Sequence, residues 1–176
     1  MCNDRRLWLG LALWIALSAP VHAQSRVIGT WLLESASTTK EDGSVDNAPF
    51  GQSPRGSIAY TSDGWVSAVI SYGGRRPLSA DRVAAPPLER AEAFASFFSY
   101  AGEYEVKGDS VTHHVRIASV ENWVGTDLVR TIRIDGDTLV LTTPRLSVNG
   151  KAVVTELIWK RLVAPSNNSL GRTRAR

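Results

Sequence analysis

Tyr104-Glu-Val-Lys-Gly108-Asp-Ser-Val111-Thr-His113-His114-Val115-Arg-Ile117 is the stretch whose reading decides the fold. Two alternating runs flank a Gly-Asp pair. Tyr104 and Val106 share one parity before the pair. Val111, His113, Val115 and Ile117 share one parity after it. Successive strand side chains face opposite sides, so each run has a single apolar face. The Gly-Asp pair supplies the positive φ that a tight hairpin needs. The same corner recurs in Ile134-Asp-Gly-Asp-Thr-Leu139. Local turn chemistry accounts for that likeness, and no repeat array is implied.

Working outward, further turn pairs stand at Asp42-Gly43, Asp63-Gly64 and Asn149-Gly150. Between them the period-two pattern marks strands around Trp31–Ser35, Ile58–Tyr60, Gly64–Tyr72, Leu128–Ile134, Leu139–Leu141 and Val153–Trp159. With the opening hairpin the count is eight. One segment breaks the pattern. Pro86-Pro87 opens Leu88 to Tyr100, where Leu88, Ala91, Ala95 and Phe98 fall at helical spacing, and Gly102 closes it. The expected fold class is all-β: an eight-stranded, up-and-down antiparallel barrel with one helix inserted between strands three and four. Closing the sheet removes both exposed edges. The loop 73–85 shows no periodicity and is expected to be mobile. The helix, carrying Phe94, Phe97 and Phe98, is expected to plug one barrel end.

Composition excludes several classes. The chain has 176 residues, one cysteine and a formal net charge of +3. One cysteine builds neither a disulfide framework nor a cysteine zinc site. The basic excess is local to the ends. Without the first 23 and last five residues, 15 basic residues face 16 acidic ones, which argues against a nucleic-acid surface. Residues 1–23 read as a signal peptide. Arg5-Arg6 precedes an apolar run, Leu7–Leu17, and Val21-His22-Ala23 fits a cleavage site. That run is shorter than the roughly 20 residues of a membrane span. A barrel domain over 24–164, a disordered basic tail over 165–176, and a periplasmic or secreted location follow as expectations. No transmembrane segment is expected after cleavage.

A set of short motifs resembles the bacterial lipocalin-like domain family. They are Gly29-Thr30-Trp31, Pro54-Arg55-Gly56 before Tyr60-Thr61-Ser62-Asp63-Gly64, Tyr100-Ala-Gly-Glu-Tyr104, Val111-Thr-His-His-Val115, Asn122-Trp-Val-Gly-Thr126, Arg130, Gly136-Asp137 with Leu139 and Leu141-Thr142, and Trp159-Lys-Arg161. Together they span about Ile28 to Leu162. The resemblance implies a barrel with a central cavity. It supplies no reaction or ligand.

Candidate site residues come from the inward faces. His113 shares the apolar parity of its strand, and His114 points the other way. Two adjacent strand histidines do not readily chelate one metal, so no metal is expected. His113 reads as a bonded core residue, a ligand contact or an acid–base group. Arg130 shares parity with Leu128, Ile132 and Ile134. A guanidinium there needs an internal acid such as Glu103, Glu105 or Glu121, a set of carbonyls, or an anionic group on a ligand. Tyr60, Tyr104 and Trp123 offer rings with a polar handle, suited to a pocket or to an ordinary core. Trp31 and Arg161 are expected to stack at the closed end, as where lipocalin barrels close.

The function expected first is an exported binder of one small apolar or amphipathic ligand, with or without a carboxylate. The contact residues would be Tyr60, Tyr104, His113, Trp123 and Arg130, with no cofactor. Alternatives are a cavity isomerase or cyclase using His113 as acid–base, a structural barrel with a filled interior, and a surface protein whose arginine tail meets anionic lipid. No nucleophile elbow or phosphate-binding glycine run is present in the sequence. A cavity of roughly 300 Å³ or more separates the binder from the filled barrel.

Overall fold

The computed structural model describes residues 25–148 and 150–163. The expected signal peptide and basic tail lie outside them. Ten strands form one sheet: β1 (Gly29–Lys40), β2 (Val45–Asp46), β3 (Arg55–Tyr60), β4 (Trp65–Ser71), β5 (Phe97–Lys107), β6 (Ser110–Ala118), β7 (Asp127–Asp135), β8 (Thr138–Thr142), β9 (Leu146–Val148) and β10 (Lys151–Arg161). Their order is β2-β1-β3-β4-β5-β6-β7-β8-β10-β9, and β1 also pairs with β10. That last pairing closes an eight-stranded antiparallel barrel. The short strands β2 and β9 hang from its edge as extensions of β1 and β10.

The hairpin that opened the sequence reading forms as expected. Tyr104 lies opposite His113 and Val106 opposite Val111. Gly108 turns the corner at φ 61°. Alternation puts Val111, His113 and Val115 fully inside, each at most 1% exposed. Ile117, expected on the same face, is 64% exposed. A bulge in β6 at Arg116, facing Ala101 and Gly102 of β5, is the reason, because Val115 lies opposite Gly102 but Ile117 opposite Ala101. Only glycine fits the bulge. A Cβ on Gly102 would stand 1.9 Å from the carbonyl oxygen of His114. The residue expected to end a helix instead lets two strands approach. Strand β1 behaves likewise: a register shift between Leu33 and Ser35 buries Ala36 and leaves Ser35 exposed.

The helix α1 (Pro87–Ala95) follows the fourth strand, not the third, since the two-residue β2 enters the count. It is also shorter than expected. Phe97 to Tyr100 belong to β5, where Phe98 lies opposite Ile70 and Tyr100 opposite Ala68. Cross-strand pairing overrode the helical spacing there. The plug expectation fails too. The helix buries no residue, and Phe94 is 60% exposed. Loop 73–85 is tied to the helix: Arg75 donates to the Ala93 carbonyl, Arg76 pairs with Glu92 at 3.3 Å, and Ser79 donates to Glu89.

One barrel end is filled. Val27, Trp31, Leu139 and Trp159 are at most 1% exposed there. The Arg161 guanidinium stacks on the Trp31 ring at 3.9 Å and donates to the carbonyls of Ile28 and Arg26. Trp31 Nε1 donates to the Val27 carbonyl. This is the expected stack, and its satisfied donors suit a sealed end. Among the described residues, no helix is long and apolar enough to cross a membrane.

Candidate functional site

The other half of the barrel is hollow. A cavity of about 130 Å³ lies among Ile58, Ala68, Ile70, Leu141, Leu157 and Trp159, with Phe50, Phe98, Tyr100, Arg130, Thr143 and Thr155 completing the wall. The volume is well below the roughly 300 Å³ expected of a drug-sized ligand pocket. It is close to that of an apolar cavity of about 150 Å³ that takes benzene. The half-buried Phe50, Phe98, Arg130 and Thr155 connect it with the surface. Ala68 is the small residue that leaves the space, facing inward from β4 beside Val66 and Ile70.

An aromatic cluster stands beside the cavity. Phe50, from the loop before β3, meets Tyr72 at 5.1 Å and Phe98 at 5.8 Å between ring centres. Trp123, on a single 3-10 turn (Glu121–Trp123), meets Phe98 edge-on at 5.6 Å and Tyr100 at 6.4 Å. These tilted arrangements are the ones aromatic quadrupoles favour.

Below the rim, His113 bridges two tyrosines. Its Nε2 meets the Tyr60 hydroxyl and its Nδ1 the Tyr100 hydroxyl, each at 2.9 Å. Tyr60 is 1% exposed and His113 fully buried. Burial pulls the His113 imidazole down to about 3, and the nearby Arg130 and His114 charges push the same way. It is therefore neutral, with one nitrogen donating and the other accepting. Burial pushes the Tyr100 hydroxyl up to about 12, with Arg130 opposing, and raises Tyr60 well above the ordinary phenol value. All three groups stay uncharged at neutral pH.

The five residues expected from sequence divide. Arg130 lines the cavity. Tyr60 and His113 stand behind it and reach it through Tyr100. Tyr104 packs against Tyr60, with ring centres 4.9 Å apart, and its hydroxyl donates to the Thr61 carbonyl. Trp123 touches the rings at the rim without joining the lining. The internal acids expected for Arg130 are not its partners. Glu103 pairs with Arg116 at 2.6 Å and Glu105 with Lys107 at 2.8 Å. Among the described residues, no carboxylate lies within 4.0 Å of Arg130. Its Nη1 donates to the Val129 carbonyl, a neutral acceptor. His114, as expected, faces outward and meets Asp127 at 2.7 Å.

Sequence reasoning missed Tyr100 as a site residue, because helical spacing claimed it. A period-two signal was present: Phe98, Tyr100, Gly102, Tyr104 and Val106 alternate through β5.

The sequence matches the lipocalin-like domain over residues 28–162. Over 83 residues it is 31% identical to a 4'-hydroxy-3'-methoxypropiophenone carrier protein of Aspergillus oryzae, covering 42% of this chain and 75% of that protein. A lipocalin-like protein from Bacteroides uniformis is 12% identical in sequence with a TM-score of 0.42, over 78% of this chain and 99% of that one. A protein from M. tuberculosis is 17% identical with a TM-score of 0.34, over 84% of this chain and 99% of that one. From just before β1 to just past β10 the family match is unbroken, and the chain belongs to the lipocalin-like domain family.

Proposed function

We propose that this protein is an exported carrier whose barrel holds one small amphipathic molecule of about single-ring size. The observation that carries the reading is the 130 Å³ void in a barrel whose opposite end is filled. Dense packing is the rule inside proteins, so a void lined by aliphatic and aromatic side chains, reachable from the surface, suits a guest. The polar groups on its wall, Tyr100 and Arg130, suit an amphipathic guest better than a purely apolar one. The related carrier's name describes a cargo built on one aromatic ring, which supports the same size class. Export rests on Arg5-Arg6, the apolar run Leu7–Leu17 and the small-residue site ending at Ala23.

The cavity-enzyme reading gains no support from His113, since hydroxyls occupy both its ring nitrogens. The 130 Å³ void falls short of the roughly 300 Å³ that separates a binder from a filled barrel, so the volume leaves the filled barrel as the second reading and confines the carrier to a guest of single-ring size.

Titration calorimetry with toluene, phenol and benzoate tests binding, with Ala68→Leu as the filled-cavity control. Saturable one-to-one binding to the native protein, lost in Ala68→Leu, is expected. No binding of any of the three, together with native mass spectra free of retained small molecules, would overturn the carrier reading. Cell fractionation and N-terminal sequencing test export; a mature chain beginning at Gln24 outside the cytoplasm is the expected result.

A further inference from the structure

The cavity wall is rich in hydrogen-bond donors and holds no acid. Arg130 is the one charged residue among those lining it. The acids on neighbouring strands pair outside the barrel, Glu103 with Arg116 and Glu105 with Lys107. Trp159, another lining residue, has a buried indole Nε1 without a hydrogen-bond partner. That nitrogen has no accessible surface, so it does not open onto the void.

The hydrogen-bond inventory of the tyrosine–histidine chain adds a directed donor. Tyr60 is buried, and the one acceptor its hydroxyl reaches is His113 Nε2. If Nε2 carried the imidazole proton, the Tyr60 proton would be buried without an acceptor, at a cost of about 1–3 kcal/mol. Tyr60 therefore donates to Nε2, and the ring proton sits on Nδ1. Nδ1 then donates to the Tyr100 oxygen. That oxygen is now an acceptor within the chain, so its own proton is released to the cavity that Tyr100 lines. The buried relay fixes the direction in which Tyr100 donates.

We propose that the cavity binds a small aromatic carboxylate, with the carboxylate accepting from the Tyr100 hydroxyl and the Arg130 guanidinium and the ring lying among Ile58, Ile70, Leu141 and Leu157. The proposal rests on the carrier reading and names its ligand class. A guanidinium with no protein acid within 4.0 Å supplies the charge, and charge-assisted hydrogen bonds are about twice as strong as neutral ones. Tyr60 and His113 are positioning residues: they touch no ligand and set the Tyr100 proton.

Calorimetry with benzoate and toluene at pH 7 tests this on the native protein, Arg130→Met, Tyr100→Phe and Tyr60→Phe. Arg130→Met is expected to weaken benzoate by about tenfold or more and to leave toluene within about twofold, as loss of one charged hydrogen-bond partner implies. Tyr100→Phe should weaken benzoate several-fold with toluene unchanged. In Tyr60→Phe the ¹⁵N resonances of His113 should report loss of the single Nδ1–H tautomer, with a smaller loss of benzoate affinity. Binding of toluene without benzoate, or equal benzoate affinity in Arg130→Met, would overturn the carboxylate assignment and leave the carrier reading standing. Failure of both probes on the native protein would overturn the carboxylate assignment, and, with no phenol binding and native mass spectra free of retained small molecules, the carrier reading as well.

Discussion

The two halves of this barrel are built by the same strands and end differently. At the closed end, β1 and β10 contribute Trp31 and Trp159, β8 contributes Leu139, and a guanidinium caps the stack. Two residues further along, β10 offers Leu157 and β8 offers Leu141, and β4 offers Ala68. Both halves carry apolar, inward-facing residues at period two. What separates a plugged end from a binding cavity is side-chain volume summed around the ring. That sum is a property of eight strands together and is set at positions such as Ala68, unremarkable in any one of them.

The comparison can be broken by experiment. Trp31→Ala should destabilise the protein by about 3–5 kcal/mol, because a large buried ring leaves a void the sealed end cannot close. Phe50→Ala at the half-buried rim should cost much less. Equal losses in chemical denaturation would mean that the rim is as tightly packed as the sealed end.

Acid offers the next largest effect. The unfolded chain binds a proton at His113 near pH 6.5, the ordinary histidine value, but the folded protein does so only near 3. Below pH 6.5 the unfolded state therefore holds more protons. The stability present above pH 6.5 is lost toward pH 3, at about 1.4 kcal/mol per pH unit. Denaturation midpoints between pH 7 and pH 5 should fall in the native protein and fall less in His113→Gln. A parallel fall in both would place the acid sensitivity elsewhere.

Ala68→Leu sharpens the contrast from the hollow side. It should change stability by under about 1.5 kcal/mol in either direction, as cavity filling commonly does, while abolishing toluene binding. Retained binding would put the guest outside the barrel. The smallest effect is expected on the outer surface. Asp127→Asn removes the partner of the outward His114 and should cost less than about 0.5 kcal/mol, as exposed ion pairs do.

The eight barrel strands, their turn corners and the Trp31–Arg161 seal were legible because each rests on local periodicity or on a short motif. Misreadings arose where two local signals competed. Phe97 to Tyr100 satisfy helical spacing as well as alternation, and pairing with β4 decided between them. Ile117 and Ser35 were misplaced because a bulge breaks parity without leaving a mark in a single strand's pattern. The site was half legible. His113 and Arg130 stood out as polar residues at apolar parity, whereas Tyr100 did not.

The sequence by itself determined an all-β chain whose strands have one apolar face, since side-chain alternation is a property of each strand alone. Only the tertiary structure decided that Glu103 and Glu105 turn to Arg116 and Lys107, that Arg130 lines the hollow without them, and that Tyr60 and Tyr100 meet the two ring nitrogens of His113. Those outcomes depend on which strands lie side by side and in what register, and register is set by closure of the whole barrel.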